Sequence, residues 1–155
     1  MSGNGHPTEW ISAWVDTKLQ HLMTNLPTFL KDTNHLINLL SETRLETNSK
    51  IISLDVVSLY TNIPHEGGLK AILDVGGILD TQTDYTAVAE LTELVLKNNI
   101  FKFDNKYYIQ TQGTAMGTRL APAYANIFMY NLEEPSYKKI IKLFSGKGSL
   151  MTSYV

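Results

Sequence analysis

Residues 50–65 read KIISLDVVSLYTNIPH, and the fold turns on how they are read. Ile51, Ile52, Leu54, Val56 and Val57 form a short β-branched, apolar run of strand length. It is bounded by the polar stretch 46–50 on one side and by Asn62 and Pro64 on the other. One carboxylate, Asp55, sits inside the run. Burying a carboxylate among valines and isoleucines is costly unless a cation, a metal or several hydrogen-bond donors meet it. A strand here therefore demands a partner for Asp55: a lysine or the backbone of an adjoining element on the plain reading, a divalent cation on the other.

Working outward, the residues before this stretch have helical period. From Thr8, Trp10, Ile11, Trp14, Leu19, Leu22, Met23 and Leu26 predict an amphipathic helix that ends between Asn25 and Pro27, with the two tryptophans as core anchors rather than a base-stacking platform. Asp32 or Thr33 caps a second helix carrying Leu36, Ile37, Leu39 and Leu40. After Pro64, Leu69, Ile72, Leu73 and Leu79 give a weaker helical pattern, loosened by Gly67, Gly68, Gly76 and Gly77, each costing about 1 kcal/mol of helix stability. Glu66 opens that helix, where negative charge is favourable. Asp84 caps a stronger helix through Val88, Leu91, Leu94 and Val95, with Asn98 and Asn99 as its stop.

The next eleven residues, IFKFDNKYYIQ, read as a β-hairpin. A two-residue turn at Asp104 and Asn105 sets Phe101 opposite Tyr108 and Ile100 opposite Ile109. TQGTAMGTRLAP is a glycine-containing loop, Pro122 suits the first residue of a helix, and that helix packs Ile127, Phe128 and Leu132 and stops before Pro135. A last helical stretch sets Tyr137, Ile140, Ile141 and Phe144 against Lys138, Lys139 and Lys142.

At 155 residues and 43% hydrophobic, the chain is sized for one domain with a real core, and no apolar run is long enough to cross a bilayer. It has no cysteine, which excludes disulfides and thiolate metal sites; with no signal-peptide pattern at the start, the expectation is an intracellular protein, in nucleus or cytoplasm, that is not secreted. The four histidines are scattered without metal-ligand spacing and read as structural or solvated. Charge is uneven: residues 1–96 hold five Lys/Arg against twelve Asp/Glu, whereas residues 97–155 hold eight against three. The second part is the better candidate for meeting a polyanion, while the charge bias alone favours a solvated lysine face.

A strand-borne carboxylate, an aromatic ring five residues on at Tyr60, and a glycine loop starting at Gln112 and Gly113 are parts of a nucleotidyl-transfer site. GTAMGT matches neither the Walker pattern nor GxGxxG. Taken in order, SLDVVSLYTNIPHEGG, FKFDNKYYIQTQGTAMGTRLAPAYANIFM and the connecting LEE resemble reverse transcriptases, specifically the Penelope-like retroelement branch; SGNGHPTEWIS and PTFLKDTNHLI are similar to the same family.

The resemblance covers about the first 134 residues. It implies an α+β fold, a partial polymerase palm with a remnant of fingers and helices packed on a small antiparallel sheet. Residues 1–134 would be a partial RNA-directed DNA polymerase domain and 135–155 a divergent C-terminal tail. Asp55 matches the first catalytic, metal-binding aspartate. Tyr60 matches the aromatic that crowds the sugar 2′ carbon. Val56 and Val57 lie where backbone approaches the incoming triphosphate, and Gln112 and Gly113 match the loop lining the nucleotide pocket. Mg²⁺ or Mn²⁺, a deoxynucleoside triphosphate and an RNA or DNA template-primer are the implied cofactors and partners, with no membrane involved.

The family also has an Asp-Asp pair on a hairpin after the palm helix. Here the last aspartate is Asp104, and Glu133 and Glu134, expected to end a helix, are the later carboxylates. The chain resembles an internal, truncated piece, and one carboxylate does not hold two Mg²⁺ ions tightly. Polymerase activity is therefore not expected from it alone. Another class of function is a non-catalytic nucleic-acid or protein interaction module on a palm scaffold that sets Lys138, Lys139, Lys142 and Lys147, with Arg119, against phosphates. A product without selected function would instead expose the apolar faces on which the absent strands should pack, and would aggregate.

Overall fold

The structure is a computed structural model that describes residues 6–42, 44, 47 and 55–144, with only the helical backbone given for 136–144. The described residues form six helices and one two-stranded antiparallel sheet, an α+β arrangement: α1 (Glu9–Thr24), α2 (Thr33–Glu42), α3 (Leu59–Asn62), α4 (His65–Leu79), α5 (Tyr85–Lys97), β1 (Ile100–Phe103), β2 (Lys106–Ile109) and α6 (Ala121–Phe144). None of these helices is long and apolar enough to cross a membrane.

The core is helix on helix. α4 packs between α5 and α6, and α1 lies against both of them. Val15, Leu19 and Leu22 of α1, Ile72 of α4, Val88 of α5 and Tyr124 and Ile127 of α6 are fully buried. Among the described residues the helices pack on one another and the β1–β2 hairpin is largely exposed, while residues 51–54, part of the expected strand, lie outside the described residues.

Trp10 and Trp14 are not core anchors: Trp10 is 85% exposed, and Trp14 stands outward with Lys18 Nζ 5.7 Å from its ring. The buried stripe of α1 is Ser12, Val15, Leu19 and Leu22, and Trp10 and Trp14 each lie two residues from Ser12, about 200° around the helix. For the same reason of phase, Leu94 and Leu132 face outward.

α4 runs unbroken through its four glycines because two of them make room for aromatic rings. Gly68 lies under Tyr124, and Gly76 under Tyr85. Tyr85 donates to Asp80 Oδ2 at 3.2 Å, Thr83 Oγ1 donates to the same oxygen at 2.7 Å, and the Gln82 amide donates to Oδ1 at 2.9 Å. These bonds close the α4–α5 turn, with His21 Nε2 of α1 3.9 Å away. The Thr83 hydroxyl, followed by the Gln82 amide, holds the Asp80 carboxyl below its ordinary value; burial, followed by the nearby Asp80 charge, pushes Tyr85 up to about 12.

This turn predicts an acid-sensitive stability. With its folded value lowered, Asp80 binds fewer protons in the native state, so its contribution is complete above the unfolded carboxylate range and is lost as pH falls through the folded value. Burial raises Asp16 and Glu133, which act in the opposite direction. Urea midpoints measured from pH 6 down to about 2 should therefore fall more for the wild type than for Asp80→Asn. Parallel curves would refute the assignment.

Asp84 caps α5 by accepting from the Thr86 amide at 3.0 Å, and α5 gives way at Asn98. Asp32 accepts from the His35 amide at 2.8 Å at the start of α2. The hairpin has the expected register, Ile100 with Ile109 and Phe101 with Tyr108. Its turn residues Asp104 and Asn105 have φ of 47° and 57°, the left-handed pair that matches strand twist.

α6 begins one residue before Pro122 and does not stop before Pro135. Proline at an interior position removes one backbone bond and costs about 3 kcal/mol, and α6 nevertheless runs on to Phe144. Glu133 and Glu134 accordingly lie within α6 rather than ending it, and Glu133 Oε2 is buried without a hydrogen-bond partner among the described residues.

Candidate functional site

The site is built where two segments some fifty residues apart in sequence meet. After Val57 the backbone turns at Ser58, whose φ of 53° is left-handed, into the single turn of α3. Asn62 secures the turn by donating its side-chain amide to Ser58 O at 3.1 Å. Ile63 then enters the core fully buried, and Pro64 starts α4.

The glycine loop docks on this turn through its backbone. The Gly113 amide donates to Ile63 O at 3.0 Å, and the Thr114 amide to Tyr60 O at 2.7 Å. Gln112 Nε2 donates to Asn62 O at 3.2 Å, and His65 Nε2 donates back to Gly113 O at 2.8 Å. Gly113, at φ 74°, has no room for a side chain, because a Cβ would lie 2.6 Å from Thr61 Cα and 2.7 Å from its carbonyl carbon. Beyond it, the Thr118 hydroxyl donates to Ala115 O at 2.8 Å and the Ala121 amide to Thr118 O, leading the chain into α6.

Tyr60, Gln112 and Gly113 therefore come together in one corner. Tyr60 is half-buried against the helical core. Gln112 is exposed on the rim and Gly113 is buried. His65 and Ile63 belong to the same corner and were not among the residues singled out from sequence. Their signal was their place in TNIPH, directly after the aromatic that the loop meets.

Asp55, Val56 and Val57 lie on the arm that leads into the corner. The strand expected to carry them does not extend through them: Asp55 and Val56 have no regular structure, and Val57 begins the turn at Ser58 and is 81% exposed. Residues 51–54, the rest of that expected strand, lie outside the described residues. Asp55 is exposed, so the desolvation that demanded a partner for it is absent.

Arg119 sits in the loop before α6, with Nη2 3.9 Å from Glu9 Oε1 of α1. The backbone of Lys138, Lys139 and Lys142 lies on the far half of α6, with Lys138 about 25 Å along the axis from the helix start. Nor do the residues present fit a two-ion centre. That chemistry requires several converging carboxylates, and among the described residues no three His, Asp or Glu side chains gather.

No protein-family model, curated protein or solved structure matches the chain. What the corner offers by itself is a glycine-backed surface of fixed backbone, flanked by an amide side chain and an aromatic ring. Such a surface lets a planar group approach the backbone closely.

Proposed function

We propose that the chain is part of a reverse transcriptase domain of the Penelope-like type, contributing the nucleotide-facing corner of an RNA-directed DNA polymerase. The carrying observation is the docking of the Gly113 loop on the Tyr60–Ile63 turn, which joins the two stretches that bear the resemblance. In this reading Tyr60 crowds the sugar of an incoming deoxynucleotide, Gln112 and Gly113 line the base side, the backbone at Val56 and Val57 approaches the triphosphate, and Asp55 is one of several catalytic carboxylates. The Asp-Asp pair is not in the sequence, so the 155 residues do not polymerise on their own, and no metal-dependent step is assigned to them.

The test is a chimera. Residues 50–134 replace the matching segment of an active Penelope-like reverse transcriptase, and primer extension is measured with Mg²⁺. Template-dependent incorporation that falls to background on Asp55→Ala, and that admits ribonucleotides on Tyr60→Val, is expected. A folded chimera that incorporates nothing, or that is indifferent to Asp55, overturns the reading.

A further inference from the structure

The β1–β2 ribbon projects from the helical core with both faces largely exposed. Directly paired residues of an antiparallel ribbon project to the same side, and alternate residues share a face. The register therefore puts Phe101, Phe103, Lys106 and Tyr108 on one face and Ile100, Lys102, Tyr107 and Ile109 on the other. On the first face Phe101 and Tyr108 stack, with ring centroids 5.5 Å apart at 21°. Phe103 is 69% exposed beside them, and Tyr108 is 42% exposed.

We propose that this aromatic face is a stacking platform for single-stranded nucleic acid. Charge selects the occupant. Lys106 is exposed on the aromatic face and Lys102 on the opposite one, against a single carboxylate, Asp104, at the tip of the turn. An apolar protein surface laid over the rings would strip water from Lys106 without a counter-charge, which is costly. A nucleic-acid strand supplies both halves of the complement: a π face for each ring, and phosphates for the ammonium group.

The ribbon is also bonded directly into the candidate site. The Gln110 amide continues the ladder to Asn99 O at 2.9 Å, and Asn99 Nδ2 donates to Gln110 Oε1 at 2.7 Å. Gln110 Nε2 then donates to Gln112 O at 2.8 Å, in the loop that carries Gly113. The ribbon is thereby tied to the loop of the corner; that a strand stacked on it runs on to the corner rests on the reverse transcriptase reading, whereas the stacking does not.

The experiment is fluorescence anisotropy on the full 155-residue protein, with labelled oligothymidylate and oligouridylate of about 12 nucleotides at low and moderate salt. Both probes are expected to bind, because stacking is tolerant of base and sugar. Phe103→Leu, a substitution at an exposed position that keeps apolar character but removes the ring, should weaken binding by about 5-fold to 100-fold. Phe103→Tyr should keep it within about 2-fold, since the ring is retained. Tyr107→Ala, on the opposite face, should leave affinity unchanged, and Lys106→Gln should lower the salt slope by about one.

Absence of binding at low salt overturns the proposal. So does Phe103→Leu binding like wild type, Tyr107→Ala weakening affinity as much as Phe103→Leu, or self-association through the ribbon that the oligonucleotides do not displace. Loss of ring dependence beside a chimera that still extends primers would remove the platform alone. Ring-dependent binding beside an inert chimera would remove the polymerase reading alone.

Discussion

Replacing Gly68 with alanine is expected to destabilise the protein by about 2 kcal/mol, lowering Tm by roughly 4–8 °C. Alanine by itself favours a helix interior over glycine by about 1 kcal/mol, so the expected sign comes wholly from packing. A Cβ at Gly68 would overlap the hydroxyl and Cζ of Tyr124 and lie 2.6 Å from its Cε2. Tyr124 is fully buried on α6 and cannot swing outward without vacating the core. The α4–α6 contact must therefore open, or the ring must leave its rotamer. Gly77→Ala is the internal control: a Cβ there meets nothing within 4 Å, so the same substitution nine residues along the same helix should stabilise by up to about 1 kcal/mol. Urea unfolding of both variants decides the matter, and equal effects of the two would mean that α4 and α6 do not pack through Gly68.

Gly113→Ala is expected to cost about 3 kcal/mol and to release the glycine loop from the Tyr60–Ile63 turn. Two penalties coincide at this residue. Its φ of 74° is a conformation that L side chains rarely adopt. A Cβ would also press on backbone, namely Tyr60 O and the Cα and carbonyl carbon of Thr61, which cannot rotate aside as a side chain would. The readout is amide hydrogen exchange. Gly113 and Thr114 donate to Ile63 O and Tyr60 O, so the amide of Thr114 should lose protection in the variant while buried α5 amides keep theirs. Retained protection at Thr114 would show that the loop docks by some other means. In the chimera, the same substitution should reduce primer extension together with docking.

Legibility in the sequence followed the range of the interactions involved. α1, α5 and the hairpin were readable with their ends, because caps and turns are local: Asp84 bonds the amides of Thr86 and Ala87, and Asp104 and Asn105 close a two-residue turn. The register of Phe101 with Tyr108 followed from the length of that turn alone. The phase of α1 was not readable, since tryptophans are as apolar outside as inside and only the partners α5 and α6 determine which stripe is covered. Continuation of α6 through Pro135 likewise ran against the local preference of proline.

The sequence by itself determined the pieces of the candidate corner: which residues carry a carboxylate, an aromatic ring, an amide and a glycine loop, and the strings in which they occur. It also established that no Asp-Asp pair is present. Only the tertiary structure decided that Gly113 lies against Tyr60 and Thr61, that His65 holds the Gly113 carbonyl, and that Gly68 and Gly76 are seats for Tyr124 and Tyr85. Each of these is a contact between groups nine to fifty-six residues apart. Helical and strand period report which face of an element is apolar, whereas the partner of that face is set by how the elements fit against one another.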